Sequence, residues 1–508
     1  MVNVLLVDQT LDQTLDQTLD HGVVHDFGES AHKNRQLSPS RLINRCPHPP
    51  SRASGLFIFF RGNSQATSTD APRVRWDSAP ISAESVGDCE MRSPFSALFS
   101  PDRSNDRATK TAASAIAAPG TKRPAAEDHD PRRALAWAPE SLQWIITEIT
   151  GKALPGQMPP FRWTPASRFA LTLAVLASGM ALSWLAMAMG LLGLPLLGPA
   201  WLLTVSAMRT FQTSFVHHAA HQAFLQPAWL GRLVAEALST AIWIQPVSRY
   251  EPEHKLHHGK TATSADADLR FLIELGFRPG LTVGAYWRMF ARMLASPQFH
   301  AQYARHRLLA NFAPGSAPWP RRLASIAWTV ALLFAAWWSG LWFALAIVWL
   351  IPAWPLYQMA GLAQLLTEHN WVRIGDGAER PKVVLGRLTH ARFFGPKAPL
   401  RNMSRLAMMA QFVQLLAVSL PERLFVAPGD LPNHDWHHRH TLGDWANAAY
   451  ARRDDLLAGE SSWGPYTERW GFREAANATF QLLASLPQDA VLGEPQTYAE
   501  RRDVMLGM

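Results

Sequence analysis

The sequence predicts an all-α integral membrane protein: four transmembrane helices in two hairpins, with a cytoplasmic helical cap that carries histidine boxes. Two stretches, residues 169–208 and 323–367, contain no Asp, Glu, Lys or Arg. A helix that spans a bilayer needs about 20 apolar residues, so each stretch is long enough for two helices. The third observation is that ten of the 19 histidines fall into four tight groups.

Each apolar stretch contains a point at which the chain can turn. Gly190, Gly193 and Pro195 interrupt the first stretch, and Ser339-Gly340 interrupts the second. Glycine and proline are strong turn signals, so each stretch is expected to form a hairpin of two helices. Two further apolar segments, near 229–247 and 405–421, are shorter or interrupted. We expect both to be interfacial or re-entrant.

Charge placement predicts the orientation of the helices. Both turns are uncharged, whereas Arg and Lys precede the first and third helices and follow the fourth. By the positive-inside rule, both termini and every long loop face the cytoplasm, and a bacterial inner membrane is the expected location. The net charge of +8 has the same origin. No nucleic-acid partner is expected, because the basic residues flank apolar runs instead of forming one patch.

Three segments are predicted along the chain. Residues 1–130 begin with the repeat TLDQTLDQTLD and continue with few apolar runs, which predicts a disordered low-complexity tail. Translation from Met91 or Met158 is an alternative interpretation of this segment. Residues 131–460 are expected to form the membrane domain, and residues 461–508 a cytoplasmic C-terminal helical tail.

Histidine and carboxylate are the plausible metal ligands, because the two cysteines, Cys46 and Cys89, both lie in the predicted tail. The histidine groups are expected at cytoplasmic helix ends. These groups are His217-His218-Ala-Ala-His221, His254-Lys-Leu-His257-His258, His369 and His434-Asp-Trp-His437-His438.

Helical spacing predicts which imidazoles share a face. Residues three and four apart are neighbours on a helix, so His254 is expected to face both His257 and His258, and the last group is expected to behave in the same way. Neutral imidazole suits iron, copper and zinc. Leaving out His218, the groups offer nine ligands, which is too many for one ion with an open position and about right for two.

Four further histidines, His300, His306, His390 and His440, have no partner spacing. We expect them at the surface or as hydrogen-bond partners of the ligands. His440 is the first replacement if one of the nine ligands is missing.

The order of these groups resembles the membrane fatty acid desaturase and hydroxylase superfamily over roughly residues 200–445. The resemblance implies four spans, a buried acyl tunnel and a centre of two iron ions at the cytoplasmic face. It implies the following ligands: His217, His221, His254, His257, His258, His369, His434, His437 and His438.

The chain departs from the family pattern in its first group. Many desaturases have Asp after the first histidine, where this chain has His218. His218 is therefore expected either to hold a ligand by a hydrogen bond or to replace His217 as the ligand. Glu368 before His369 resembles alkane hydroxylases, but the second group lacks their wider spacing. We expect Glu368 to be a hydrogen-bond partner of the ligands or an alternative ligand.

The resemblance implies a dioxygen-dependent fatty-acyl desaturase. Its substrate would be an acyl-CoA, an acyl-carrier protein or a phospholipid, and Lys255, Lys260, Arg401 and Arg439 would suit an anionic head group. Electrons would come from an external ferredoxin- or cytochrome-type donor, because the chain has no flavin, nicotinamide or haem fingerprint.

Two other functions remain open at this point. A hydroxylase or ketolase acting on a sphingolipid, carotenoid or alkane would use the same ligands. A non-catalytic metal transporter is disfavoured, because transport sites lie near the membrane midplane whereas these histidines gather at one face.

Overall fold

The computed structural model describes residues 130–374, 379–396, 404–459 and 461–495, and over these residues the protein is predominantly helical. This confirms the all-α prediction. Except for residue 130, the predicted N-terminal tail lies outside the described residues, as does Arg401. The helices are α1 Glu140–Thr150, α2 Pro165–Ala188, α3 Gly190–Ala220, α4 Ala228–Ala241, α5 Val247–Lys260, α6 Ala267–Glu274, α7 Val283–Ala295, α8 Pro297–Phe312, α9 Trp319–Ser339, α10 Trp342–Glu368, α11 Pro381–Leu388, α12 Arg405–Gln414, α13 Leu420–Val426, α14 His434–Arg439, α15 Ala448–Ala458 and α16 Phe472–Ala484.

Four of these helices, α2, α3, α9 and α10, are long and apolar enough to cross a membrane, which confirms the predicted number of spans. Helix α2 begins with a capping box in which Thr164 and Ser167 exchange hydrogen bonds, and Pro165 occupies the first turn, where its missing N–H costs nothing. Helix α3 continues past the uncharged stretch, through Arg209, to Ala220. The apolar span therefore leads directly into the first histidine group.

The spans pack closely where small residues allow it. A Cβ at Gly179 of α2 would lie 2.5 Å from Thr204 Oγ1 and 2.8 Å from the Ala200 carbonyl oxygen of α3, so only glycine fits there. Helix α3 also contacts α10, since the Trp201 indole donates to the Ile347 carbonyl at 2.8 Å. Large apolar side chains such as Leu191 remain exposed on the spans. These side chains suit contact with lipid.

The two shorter apolar segments form helix α4 and a helical run that continues from α12 through a π-helical turn, Leu415–Ser419, into α13. Neither is among the described helices that are long and apolar enough to span a membrane. Each exposes apolar side chains, including Trp229 and Leu233 on α4 and Leu406 and Met409 on α12. Their position at the membrane interface stays a prediction.

The predicted C-terminal tail contributes helix α16 to the protein core. Phe480 of α16 is fully buried and stacks on Tyr286 of α7, with ring centroids 5.4 Å apart. Thr479 donates a hydrogen bond to the Leu366 carbonyl of α10 at 2.9 Å. Just before α16, strand β2 (Glu468–Trp470) pairs in parallel with β1 (Ala391–Phe393). The residues after 460 thus pack against the C-terminal end of α10.

Candidate metal centre

Three helices and one helix end bring the histidine groups together. Helix α3 carries His217 directly after a π-helical turn, Phe211–Val216, and π-helical turns are frequent at functional sites. Helices α5 and α14 carry the two H-x-x-H-H groups. Helix α10 ends at Glu368, because His369 is extended and forms a β-bridge with Thr389.

Five histidines form the first cluster: His217, His221, His254, His258 and His437. Their ligand nitrogens all lie within 4.8 Å of one another. The Nε2 atoms of His217 and His437 are 2.6 Å apart, and His254 Nε2 lies 2.9 Å from His221 Nε2 and 3.0 Å from His258 Nε2. The five rings therefore converge on one point.

Four histidines form the second cluster: His257, His369, His434 and His438. His257 Nε2 lies 3.0 Å from His369 Nε2, and the Nε2 atoms of His434 and His438 are 3.1 Å apart. The two clusters are neighbours, since the rings of His258 and His438 stack with centroids 4.2 Å apart. All nine predicted ligands therefore lie in one of two adjacent clusters.

Each H-x-x-H-H group divides its histidines between the clusters. His254 shares the first cluster with His258, whereas the adjacent His257 points its Nε2 into the second. Successive residues on a helix are turned by roughly 100°, because each turn takes 3.6 residues. The ring of His254 lies beside both histidines of its pair, with centroids 6.1 Å from His257 and 4.5 Å from His258, although these two histidines belong to different clusters. The last group is divided likewise, with His437 in the first cluster.

The donor set fits two metal ions. Imidazole nitrogens bound at the distance known for zinc, about 2.0–2.1 Å, would lie roughly 3 Å apart at right angles around one ion. The shortest separations between ligand nitrogens, 2.6–3.1 Å, match this spacing. Nitrogen ligands without thiolate or backbone oxygen suit a transition metal such as iron.

Burial keeps most of these imidazoles in the neutral form that binds metal. Loss of water, reinforced by neighbouring imidazoles, lowers the pKa of His221 to about 4 and holds the pKa of His254 and His258 well below the usual range. The same causes lower the pKa of His434 and His437. The cost of displacing a proton on metal binding is thereby reduced.

His257 differs because a carboxylate holds its second nitrogen. Although burial lowers its pKa, the hydrogen bond and charge of Asp266 raise the pKa to about 9. Asp266 Oδ1 lies 3.0 Å from His257 Nδ1, and the fully buried carboxylate also accepts the Ala262 and Asp268 backbone N–H groups. Asp266 thus fixes the ring with Nε2 toward the second cluster. The only feature of the sequence that indicates this role of Asp266 is its position as an acidic helix N-cap nine residues after His257.

His218 lies beside the first cluster and is not one of its members. Its Nε2 lies 2.8 Å from Asp430 Oδ2, and its ring stacks on Trp445 at 4.5 Å. Asp430 also accepts the Ser214 hydroxyl at 2.6 Å. Of the two roles considered for His218, replacement of His217 does not fit this geometry. His218 instead joins the end of α3 to the loop before α14.

A buried ion pair anchors α14, which carries the last histidine group. Arg452 of α15 donates to both carboxylate oxygens of Asp435, with Nε 3.0 Å from each and Nη2 2.9 Å from Oδ2. Arg452 also binds Glu468, which in turn binds Lys152 at 2.6 Å. Asp435 lies inside the H-x-x-H-H group, but nothing in the sequence indicates its partner.

The remaining candidates lie around the clusters. Glu368 Oε1 is 3.1 Å from His434 Nε2, so the carboxylate can hold this ligand or join it at the metal. His440 is exposed and binds Asp455, so it supplies no missing ligand.

His390 is buried, and its Nε2 lies 3.0 Å from the Thr367 carbonyl oxygen. His300 is half-buried and contacts Gln358 Oε1 and the Leu294 carbonyl, while His306 is exposed.

A cavity of about 170 Å³ reaches both clusters. It touches His217 and His254 of the first and His257 and His434 of the second. The cavity gives a small molecule access to the point where the two metal ions would lie, and it is the candidate position of the reacting group.

These spans and clusters define a membrane protein with a histidine-rich candidate metal centre at the ends of its helices. Residues 192–395 match the family model described as fatty acid desaturase. This match supports membership of the segment in the membrane fatty acid desaturase and hydroxylase superfamily, whose members are oxidoreductases that act on membrane lipids. The match includes the first three histidine groups and ends before the fourth. No curated protein matches the chain significantly.

Proposed function

We propose that the protein is a dioxygen-dependent fatty-acyl desaturase with two iron ions. The observation that carries the proposal is the division of nine histidines into two adjacent clusters, each supplied by both H-x-x-H-H groups. A single ion would use only one cluster, whereas two ions use both. Membership of the superfamily supports lipid oxidation as the reaction class.

The first cluster would hold one iron and the second cluster the other. When bound, the two ions would supply the oxidising chemistry that removes hydrogen from an unactivated carbon chain with dioxygen. The protein holds its ligands rigidly: Asp266 orients His257, and Tyr250 stacks on His254 with centroids 5.0 Å apart. The cavity walls position the substrate carbon and keep bulk water away from it.

The acyl carrier and the electron donor are proposed from the resemblance. An acyl-CoA, acyl-carrier protein or phospholipid is the substrate class, and a ferredoxin- or cytochrome-type protein is the donor. Arg439, expected to bind an anionic head group, is instead buried, and its guanidinium donates to the Gly464 and Pro465 carbonyls. Lys255 pairs with Glu251 at 2.7 Å but is exposed enough to contact a partner.

The reaction outcome is tested by the mass of the products. A host that lacks its own desaturase and expresses this chain is expected to accumulate lipids lighter by two hydrogens, with dependence on dioxygen and on an electron donor. Lipid mass spectrometry measures this against the same host expressing His437→Ala. Products heavier by one oxygen, without unsaturated species, would replace desaturation by hydroxylation and leave the metal assignment standing.

The proposed orientation places the metal centre at the cytoplasmic face of a bacterial inner membrane. Reporter fusions at residue 195, near the start of α3, and at residue 340, between α9 and α10, are expected to give an outside signal. Fusions after residues 230, 310 and 450 are expected to give an inside signal. An outside signal at residue 310 would contradict the placement of all histidine groups at one face.

A further inference from the structure

The cavity beside the metal centre contains hydrogen-bond donors that the protein does not satisfy. Its lining includes Arg209 of α3, Tyr303 of α8 and Gly361 of α10. These residues lie apart from the nine histidines, and the proposed metal chemistry does not use them. Their arrangement indicates what part of a substrate the cavity accepts.

Arg209 is a buried cation without a carboxylate partner among the described residues. Its side chain donates to two neutral amide oxygens, Gln212 Oε1 at 2.7 Å and Gln364 Oε1, while its Nε has no acceptor. Burying an unpaired charge is expensive, so such groups normally find an anion or several carbonyl groups.

Three other buried arginines of the described residues are satisfied in that way. Arg321 binds the Glu236 carboxylate at 3.1 Å, and Arg452 binds Asp435. Arg307 donates to the backbone carbonyls of Ala353, Ile242 and Trp243. Arg209 has neither kind of acceptor. Other buried arginines, such as Arg392 and Arg423, also have a nitrogen without a partner, but Arg209 differs from these two because it lines the cavity.

The Tyr303 hydroxyl is a second donor at the same place. Over the described residues it has no hydrogen-bond partner, although its ring packs on Phe271 and Phe299. A Cβ at Gly361 would lie 3.3 Å from Tyr303 Oη and 3.4 Å from Arg209 Nη1. The hydroxyl and the guanidinium therefore meet over Gly361, where the missing side chain leaves room for a ligand atom.

Four acidic residues line the cavity, and three of them contact histidines of the clusters, whereas Glu253 binds Gln245 and Arg249. Asp266 and Asp268 have carboxylate oxygens 3.0 Å and 3.5 Å from His257 Nδ1, and Glu368 contacts His434. Arg209 precedes His217 by eight residues on α3, which corresponds to about 12 Å along a helix axis. The cavity thus has an acidic end at the metal centre and a donor end at Arg209 and Tyr303.

We propose that Arg209 and Tyr303 bind an oxygen acceptor of the lipid substrate, a carboxylate or carbonyl group, inside this cavity. The substrate would then be oxidised at a carbon close to its polar group, since the cavity joins that group directly to the metal centre. This inference rests on the proposed function for the reaction but not for the binding step. On this proposal, buried residues of the cavity select the substrate, and not the exposed lysines and arginines expected from the sequence.

Equilibrium binding to the purified, iron-loaded full-length protein in nanodiscs tests the proposal. The probes are radiolabelled palmitic acid, palmitaldehyde and hexadecane, with binding to empty nanodiscs subtracted. Tyr303→Phe removes only the unpartnered hydroxyl, so folding should be preserved. We expect it to weaken binding of palmitic acid or palmitaldehyde about tenfold, the effect of one hydrogen bond to a polar or charged group, and to leave hexadecane binding unchanged.

The matched control is Tyr286→Phe, which removes a hydroxyl that donates to the Arg278 carbonyl, and neither residue lines the cavity. This control should leave the affinities for all three probes unchanged. Unaltered binding of both oxygen-bearing probes in Tyr303→Phe would overturn the proposal, as would an equal loss for hexadecane. Because binding is measured without turnover, a wild-type protein that binds but oxidises no lipid would refute the proposed function instead.

Discussion

His437→Ala is expected to abolish lipid oxidation and to lower the iron content of the purified protein. His437 Nε2 lies 2.6 Å from His217 Nε2 and 3.1 Å from His258 Nε2, so its loss opens the first cluster. Removing a hydrogen-bond partner of a ligand already costs about 10–100-fold in affinity or activity, and removing the ligand itself should cost more. Elemental analysis and product mass spectrometry measure the two effects.

His257→Ala applies the same test to the second cluster, where His257 Nε2 lies 3.0 Å from His369 Nε2. The matched control is His306→Ala, which removes an exposed imidazole outside both clusters and should change neither iron nor turnover. Full activity in either cluster variant would show that the altered cluster is not part of the catalytic centre.

Arg452→Met is expected to destabilise the protein by about 3–5 kcal/mol, because it leaves the buried Asp435 carboxylate without its partner. The thermal midpoint in detergent, followed by circular dichroism, should fall accordingly. The last histidine group should also be held less firmly in this variant, since Asp435 lies within α14.

Two controls separate charge from packing in this prediction. Arg162→Met breaks an ion pair between Arg162 and Asp444 whose arginine side chain is 78% exposed, so it should cost at most about 1 kcal/mol. The double variant Arg452→Met/Asp435→Leu removes both charges and should recover much of the stability. An equal loss of stability in the single and double variants would mean that packing of the side chains, and not the unpaired charge, determines the stability at this position.

The spans and histidine groups could be predicted from sequence because both are local patterns. Charge-free stretches of twice the length of one span required four helices, and the helical period placed His217 and His221 on one face. Helical spacing alone does not assign adjacent histidines to one cluster or the other. His257 and His258 diverge by roughly 100° on α5, so sharing a face with His254 did not mean sharing a cluster.

Most partners that position the histidine groups could not be predicted, because they meet only through the packing of separate elements. Asp430 meets His218 across 212 residues of sequence, and the Arg452–Asp435 pair joins two separate helices. The two hydrogen-bond donors in the cavity could not be predicted for the same reason. Arg209 and Tyr303 meet only because α3, α8 and α10 pack together, with Gly361 between them.

The metal content of the purified wild-type chain tests the central claim most directly. The two histidine clusters predict about two iron ions per chain, measured by elemental analysis alongside protein concentration and lipid turnover on the same sample. Binding of two irons together with turnover would support the account. A protein that contains only zinc, or a single ion, and retains full activity would contradict it.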